Sequence, residues 1–352
     1  MTGRERVKRA IEFRCPDDRI PVMHAYLPAA MERLGRRLQD VLAKYPSDYG
    51  SLTLGYSGDY LIKMGDGDVD VWGCRWSNLA HGIVGQVRGH PLADWEALKS
   101  YVPPDPAKYL PSEIVKNGIH RAEPDKYVVA FCGNLFERMQ WLRGYENLMM
   151  DLALGDQRVI DVRDMIVEHN VKMVHIASQG DIDGIEFSDD WGTQQQLMIR
   201  PALWRELFKP AYKTMFDAVR AKSLDVHFHT DGVVIDIIGD LIEIGADVVN
   251  VQLAAMDISE LGKQFRGKVC FRTDLDRQYV LPRGTPAEVD EHIKQIVEAL
   301  GTSEGGIIGC GEIGPDVPIE NVEAMFAAFT KYGTYQGHWR LHSKRPLGVV
   351  PA

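Results

Sequence analysis

In the stretch Asp225-Val226-His227-Phe228-His229-Thr230-Asp231-Gly232, ionisable residues alternate with Val226, Phe228 and Thr230. Strand side chains repeat every two residues, so Asp225, His227, His229 and Asp231 share one face. Val226 and Phe228 fall on the other, which suits a core. The polar face must then meet water or something bound, because four such groups are costly to bury without partners. Imidazole and carboxylate in one row suit proton transfer or the holding of a metal ion. The competing reading is a set of structural hydrogen bonds, since ion-pair networks also gather ionisable groups.

Such a strand needs partners from neighbouring elements. Residues 20–26 and 51–56 read as strands, and 4–13 and 29–44 as helices. From residue 127 a regular alternation begins. Strands are expected at 127–132, 183–190, 224–229, 247–251, 269–273 and 306–309. Helices are expected near 135–152, 155–178, 202–222, 233–244, 257–265, 286–300 and 319–332. About eight strands, each followed by a helix or an insertion, predict an α/β fold of the (β/α)8 barrel type. The glycine fingerprint of an open doubly wound sheet is missing. Residues 57–125 break the rhythm with Gly65-Asp66-Gly67-Asp68, Val71-Trp72-Gly73-Cys74-Arg75-Trp76 and Val102-Pro103-Pro104-Asp105-Pro106. They read as a long N-terminal insertion with a small β-rich element, placed to act as a lid. The 352 residues thus read as one barrel domain, spanning 1–352, since such barrels exceed the usual single-core length with insertions.

Working residues of a barrel sit at the C-terminal strand ends. His24 and Tyr26 close the first strand, Tyr56 the second and Cys132 the third. Glu186, Ser188 and Asp190 share one parity on the fourth. His227, His229 and Asp231 finish the fifth, Asn250 and Gln252 the sixth, Arg272 and Asp274 the seventh. Cys310 and Glu312 follow the eighth. His229, Asp231, Cys310 and Glu312 are candidates for a zinc site, which takes imidazole, carboxylate and thiolate. For Cys310 alone the commoner role is a small buried residue. Asp190 and Glu186 are expected to line the pocket as acid/base or orienting groups. His227 lies about two residues, ~6.6 Å, deeper along its strand than His229 and is expected to support the catalytic set. Tyr26, Gln252 and Arg272 are expected to contact a cofactor. Asp189 is the neighbour of Asp190 that must point the other way, and a helix or loop cap is its expected role.

The formal net charge of −10 argues against nucleic acid or an anionic membrane as the main partner. Cys15, Cys74, Cys132, Cys270 and Cys310 are scattered, odd in number and without a CxxC pair, which predicts a reducing cytoplasm and no disulfide framework. The start, MTGRERVKRAIEF, reads as an amphipathic helix rather than a signal peptide. No apolar run approaches the ~20 residues that span a bilayer. A homodimer is the expected state of an enzyme of this kind.

The segments RERVKRAIEF, VDVWGCRW, HPLADWEALKSYVPPDP, FERMQWLRGYENLMMDL, DGIEFSDDWGTQQQLMIRPALWRELFKPAYK, HTDGVVIDIIGDLIEIGADVVNVQ and GGIIGCGEIGPDVPIENVEAM together resemble the uroporphyrinogen decarboxylase-like superfamily. The resemblance spans nearly the whole chain. It implies a TIM barrel, and either a decarboxylase or a methyltransferase that works with a corrinoid. True decarboxylases of the superfamily carry an arginine-rich segment after the first strand. Here that stretch is His24-Ala25-Tyr26-Leu27-Pro28-Ala29-Ala30, without arginine. The methyltransferase branch holds zinc with His-x-Cys and a distant Cys. His229 matches the histidine and Cys310 the distal cysteine, while Asp231 stands where the first cysteine belongs. An oxygen ligand makes a less electron-rich zinc than a thiolate. The resemblance therefore implies methyl transfer between a small methylated compound, or a thiol, and a corrinoid carried on a partner protein, with His229, Asp231 and Cys310 on zinc. The alternatives are decarboxylation of a tetrapyrrole or other polycarboxylate, using cations such as Arg138, Arg143, Arg272 and Arg277, and a non-enzymatic barrel that binds a corrinoid or tetrapyrrole.

Overall fold

The structure is a computed structural model that describes residues 1–16, 18–52, 66–77 and 85–335. Its strands are β1 (Ala25–Tyr26), β2 (Arg75–Ser77), β3 (Gln86–Gly89), β4 (Val129–Phe131), β5 (Gly184–Ser188), β6 (Asp225–Thr230), β7 (Val248–Val251), β8 (Cys270–Arg272), β9 (Ile307–Ile308) and β10 (Glu312–Ile313). Strands β4 to β9 form one parallel sheet in sequence order. Helices join each strand to the next and cover the sheet. Strand β7 is buried at every residue, as parallel strands covered on both faces should be. The barrel-type α/β order is therefore present from β4 onward.

Two further extended segments adjoin the edges of this sheet. Val22 bridges Gly309 in parallel, and the Met23 amide donates to the Gly309 carbonyl at 2.9 Å. The Asp48 amide donates to the Val22 carbonyl at 2.8 Å, and the Gly50 amide to the Tyr127 carbonyl at 2.9 Å. Tyr49 bridges Tyr127, also in parallel. The expected first strand, 20–26, is regular only at β1, which pairs with β10. The second pairing falls at 48–50 rather than in the expected 51–56, of which 53–56 lie outside the described residues, Tyr56 included.

Helix limits follow local chemistry. Thr285 and Glu288 form a reciprocal capping box, with Pro286 at the first helical turn, and start the helix Pro286–Leu300. Three expected long helices are each two. Gly35, at φ +53°, separates Pro28–Leu34 from Arg36–Lys44, and Gly144, at φ +86°, separates Phe136–Arg143 from Tyr145–Leu154. Both angles are ones that side chains resist. Phe208 separates Pro201–Leu207 from Lys209–Arg220, where Pro210 lacks the amide that would continue the ladder.

In the described part of 57–125, β2 and β3 pair antiparallel. Asp70 organises the turn before them. Its Oδ1 accepts from the amides of Trp72 and Cys74, and its Oδ2 from Trp76 Nε1 and, at 2.6 Å, from Arg138 Nη1. Arg138 belongs to the helix Phe136–Arg143 and stacks over Trp141, 4.5 Å from the ring centre. This buried ion pair ties the segment to the sheet-covering helices. No helix among the described residues is long and apolar enough to cross a membrane.

Replacing Arg138 by Met would strand a buried carboxylate. The expected cost is about 3 kcal/mol or more, read as a lower urea midpoint. A variant as stable as the wild type would show that Asp70 is held by its other donors alone.

Candidate active site

The register of the sheet assembles the strand ends. Ser188, His229 and Asn250 stand level on β5, β6 and β7, with Glu186 and His227 paired one step below. Beyond the strands the chain turns over two glycines in backbone contact. A Cβ on Gly232, at φ +80°, would lie 2.2 Å from the carbonyl carbon of Gly192. The Gly192 amide donates to the Asp231 carbonyl at 3.0 Å, and the Asp231 amide donates to Asp190 Oδ1 at 3.0 Å. Only paired glycines allow this approach, and it sets Asp190 and Asp231 side by side.

Asn250 decides the state of His229. Its Nδ2 donates to the Arg272 carbonyl at 2.8 Å, so its Oδ1 points the other way. That oxygen accepts from Arg272 Nη2 at 3.0 Å and from His229 Nδ1 at 2.7 Å. An amide oxygen only accepts, so Nδ1 carries a proton, and in the neutral ring Nε2 carries the open lone pair. Nε2 faces Asp190 Oδ1 at 3.8 Å and Asp231 Oδ1 at 3.7 Å. Asp231 Oδ1 has no hydrogen-bond partner among the described residues.

Asp190, His229 and Asp231 each offer a ligand atom, all within 4.8 Å of one another. This set of one imidazole nitrogen and two carboxylate oxygens suits zinc or another divalent ion of intermediate hardness. Burial, and then the charge of Asp231, push the Asp190 carboxyl above its usual range. A bound cation would relieve that repulsion and occupy the orphaned oxygen. Cys310 is not in this cluster. It lies in the wall of the adjoining cavity, where burial pushes its thiol up to about 12. Its backbone is pinned by Thr273, whose hydroxyl accepts from the Cys310 amide and donates to its carbonyl.

Two chambers meet here. The inner one, about 340 Å³, is walled by Met23, Phe131, Glu186, His229, Asp274 and Cys310, among others. The outer one, about 670 Å³, includes Leu27, Asp190, Gln194, Asp231 and Gln252. Arg277 and Glu312 line both. Arg277 Nη2 donates to Asp231 Oδ2 at 2.6 Å and lies 3.3 Å from Asp274 Oδ2, while Nη1 donates to Glu312 at 3.2 Å.

The other expected residues divide by place. Glu186 forms a two-point ion pair with Arg272 on the inner chamber's wall. Burial alone would raise it, but the Arg272 charge and hydrogen bonds bring it down to about 2. It orients Arg272 and holds no proton near neutrality. His227 is buried below the chambers, with Nε2 3.0 Å from the Tyr127 hydroxyl, and burial lowers it to about 3. Gln252 accepts from the Gly232 amide at 3.0 Å in the outer chamber. Tyr26 is outside both linings, because strand alternation turns Ala25 and Leu27 inward instead. Asp189 caps the helix Phe136–Arg143, accepting from the Leu135 and Glu137 amides at 2.7 Å and from the Tyr212 hydroxyl at 2.6 Å. Sequence reasoning placed Asn250 at a strand end but gave it no role, and it named Arg277 only as a cation for a polycarboxylate. The register that sets Asn250 beside His229 was the missing signal.

Two outcomes follow from this geometry. Asn250→Leu should release the His229 tautomer, seen as a change in its ring ¹⁵N shifts, and weaken binding of added zinc by about ten- to a hundredfold. Unchanged shifts would remove Asn250 from its role. Glu186, with its folded value depressed from 4.5 to about 2, stabilises the fold fully above about pH 4.5 and loses that contribution as pH falls. The melting-temperature advantage of the wild type over Glu186→Gln should therefore shrink between pH 4.5 and 2.

A methyltransferase from Methanosarcina mazei superposes with a TM-score of 0.68 over 94% of this chain and 99% of its own, at 16% sequence identity. At that identity the likeness speaks for the fold. A D-psicose 3-epimerase, solved in the presence of D-fructose, matches with a TM-score of 0.32 at 10% identity, over 59% of this chain and 86% of its own. A dihydropteroate synthase from Stenotrophomonas maltophilia reaches 0.21 at 12% identity, over 62% and 94%. Neither of these two carries an argument. No curated protein matches the sequence. The family model described as uroporphyrinogen decarboxylase (URO-D) matches residues 78–332, well over half the chain, and the protein therefore belongs to the uroporphyrinogen decarboxylase family.

Proposed function

We propose that this chain is a methyltransferase of the uroporphyrinogen decarboxylase family, built on a closed eight-stranded barrel. It would move a methyl group between a small methylated compound, or a thiol, and a corrinoid carried on a partner protein. The barrel reading rests on the hydrogen bonds that run from Gly309 through Val22 and Asp48 to Tyr127. The single observation that carries the chemistry is the placing of His229, bonded to Asn250 through Nδ1, with Nε2 facing Asp190 and Asp231 at the strand ends.

His229, Asp190 and Asp231 would hold a divalent ion such as zinc, with Asp190 in the place expected for Cys310. Such an ion, when bound, supplies Lewis acidity and lowers the pKa of what it binds. The chain's own residues do the rest. Asn250 keeps the proton on Nδ1. Arg272, held by Glu186, fixes Asn250 from the opposite side. Asp190 holds a proton more readily than a free carboxyl does, so it is the group suited to accept one before a cation arrives. Arg277 keeps Asp231 in position by its second oxygen. The small inner chamber suits the methylated compound, and the larger outer chamber suits a bulky second reactant.

Decarboxylation of a polycarboxylate is the weaker reading. It needs uncommitted cations, yet each of the four arginines available already faces an acid. Arg138 pairs with Asp70, Arg143 with Asp151, Arg272 with Glu186, and Arg277 with Asp231. A barrel that only binds a corrinoid does not require the His229 constellation.

Metal analysis of the purified protein should find about one ion per chain. His229→Ala should lose the ion and slow methyl transfer to a corrinoid by more than about a hundredfold. Metal-free protein with intact transfer would sink the proposal, as would carbon dioxide release from uroporphyrinogen at an enzymatic rate.

A further inference from the structure

Among the described residues, both arginines that line the inner chamber are already engaged. Asp274, which follows β8, is 5% exposed and lines this chamber. Its Oδ2 has no hydrogen-bond partner among the described residues. Its ion contact is a 3.3 Å approach from Arg277 Nη2, and that group already donates to Asp231 at 2.6 Å. Arg277 also serves Glu312, so three carboxylates share one guanidinium. The other cation of the chamber, Arg272, is committed to Glu186 and Asn250. A buried carboxylate left in this state is costly unless something completes it. Burial accordingly pushes Asp274 up to about 7.

These facts restrict the occupant. An anion would add to a surplus of negative charge and would find both arginines taken. A neutral apolar molecule would leave Asp274 uncompleted. A small cation with an N–H group supplies both missing quantities, charge and donor. The walls also include Phe131 and Met23, an aromatic ring and a thioether that accept methyl groups and tolerate positive charge. At about 340 Å³ the chamber sits at the small end of the range for small-molecule sites.

We propose that the inner chamber binds a small organic cation of the methylated ammonium class, with Asp274 receiving its N–H. The choice of a methylated cation rests on the function proposed above. The preference for a cation rests on Asp274 and its neighbours alone. In this arrangement the ammonium group lies between Asp274 and Glu312, and its methyl groups contact Phe131 and Met23. Asp190 and Asp231 remain for a metal ion, so the two kinds of cation occupy different carboxylates.

The test is calorimetric titration of the full chain with dimethylammonium and trimethylammonium chlorides, and with tert-butanol as a neutral molecule of similar shape. Each is run on chelator-treated protein and again after zinc is added. The ammonium ions should bind in both states, and tert-butanol at least tenfold more weakly. Asp274→Asn keeps the size of the side chain and should weaken ammonium binding by about ten- to a hundredfold. Glu312→Gln, on another strand, should weaken it severalfold and serves if Asp274→Asn does not fold, as judged by its thermal melt. Equal affinity for tert-butanol, unchanged binding by Asp274→Asn, or no binding of either ammonium ion while zinc binds would each overturn the proposal. A protein that binds the ammonium ions but transfers no methyl group would overturn the proposed function and leave this assignment standing.

Discussion

The hydrogen bond from Asn250 Nδ2 to the Arg272 carbonyl is small, yet the site depends on it. It orients the carboxamide, and the carboxamide then fixes the proton of His229 on Nδ1. A histidine with the other tautomer would present an N–H to Asp190 and Asp231 and could ligate nothing there. The parallel register of β6 and β7 brings Asn250 level with His229. Glu186 and Arg272 hold the same carboxamide from the far side. Their ion pair is buried and its energetic value is modest once desolvation is counted, but its position gives it a clear structural task.

Charge distribution is the second organising feature. Acidic groups converge on the mouth from four strand ends: Asp190, Asp231, Asp274 and Glu312. Arg277 is set among the last three of them. It also forms part of the wall between two chambers of unequal size. The arginines that sequence alone offers as a cation cluster are dispersed. Arg138 and Arg143 are consumed in holding the segments 66–77 and 85–99 to the helix Phe136–Arg143, through Asp70 and through the carbonyls of Leu92 and Ala93. A chain with a net charge of −10 thus spends its buried cations on structure and keeps its mouth acidic.

Much of the architecture was legible. The helices 286–300 and 319–332 fall where spacing placed them, because Pro286 with its capping box and Pro318 mark their starts locally. Long helices were read through Gly35, Gly144 and Phe208, where the apolar period continues across a backbone break. The two N-terminal extended segments were harder, because their pairing partners lie some eighty to three hundred residues away. Strand parity pointed to His229, Asp190, Asp231 and Arg272, and all four line the two chambers. Tyr26 followed the same rule but from an end whose facing residues are its neighbours Ala25 and Leu27. The cap assigned to Asp189 was readable from its parity against Asp190.

The sequence by itself determined the alternation of strands and helices, the family, and the row of polar groups on β6. Those depend on period, local capping and residue type, which neighbours along the chain carry. Tertiary structure decided which of those groups meet. Asp190 reaches His229 because Gly192 and Gly232 let two loops touch, and Cys310 stays in the inner wall because Thr273 pins its backbone. It also decided that Asn250 sets the tautomer and that Asp274 is left without a donor. Each of these is a matter of distance between separate strands, and no spacing along one strand contains it.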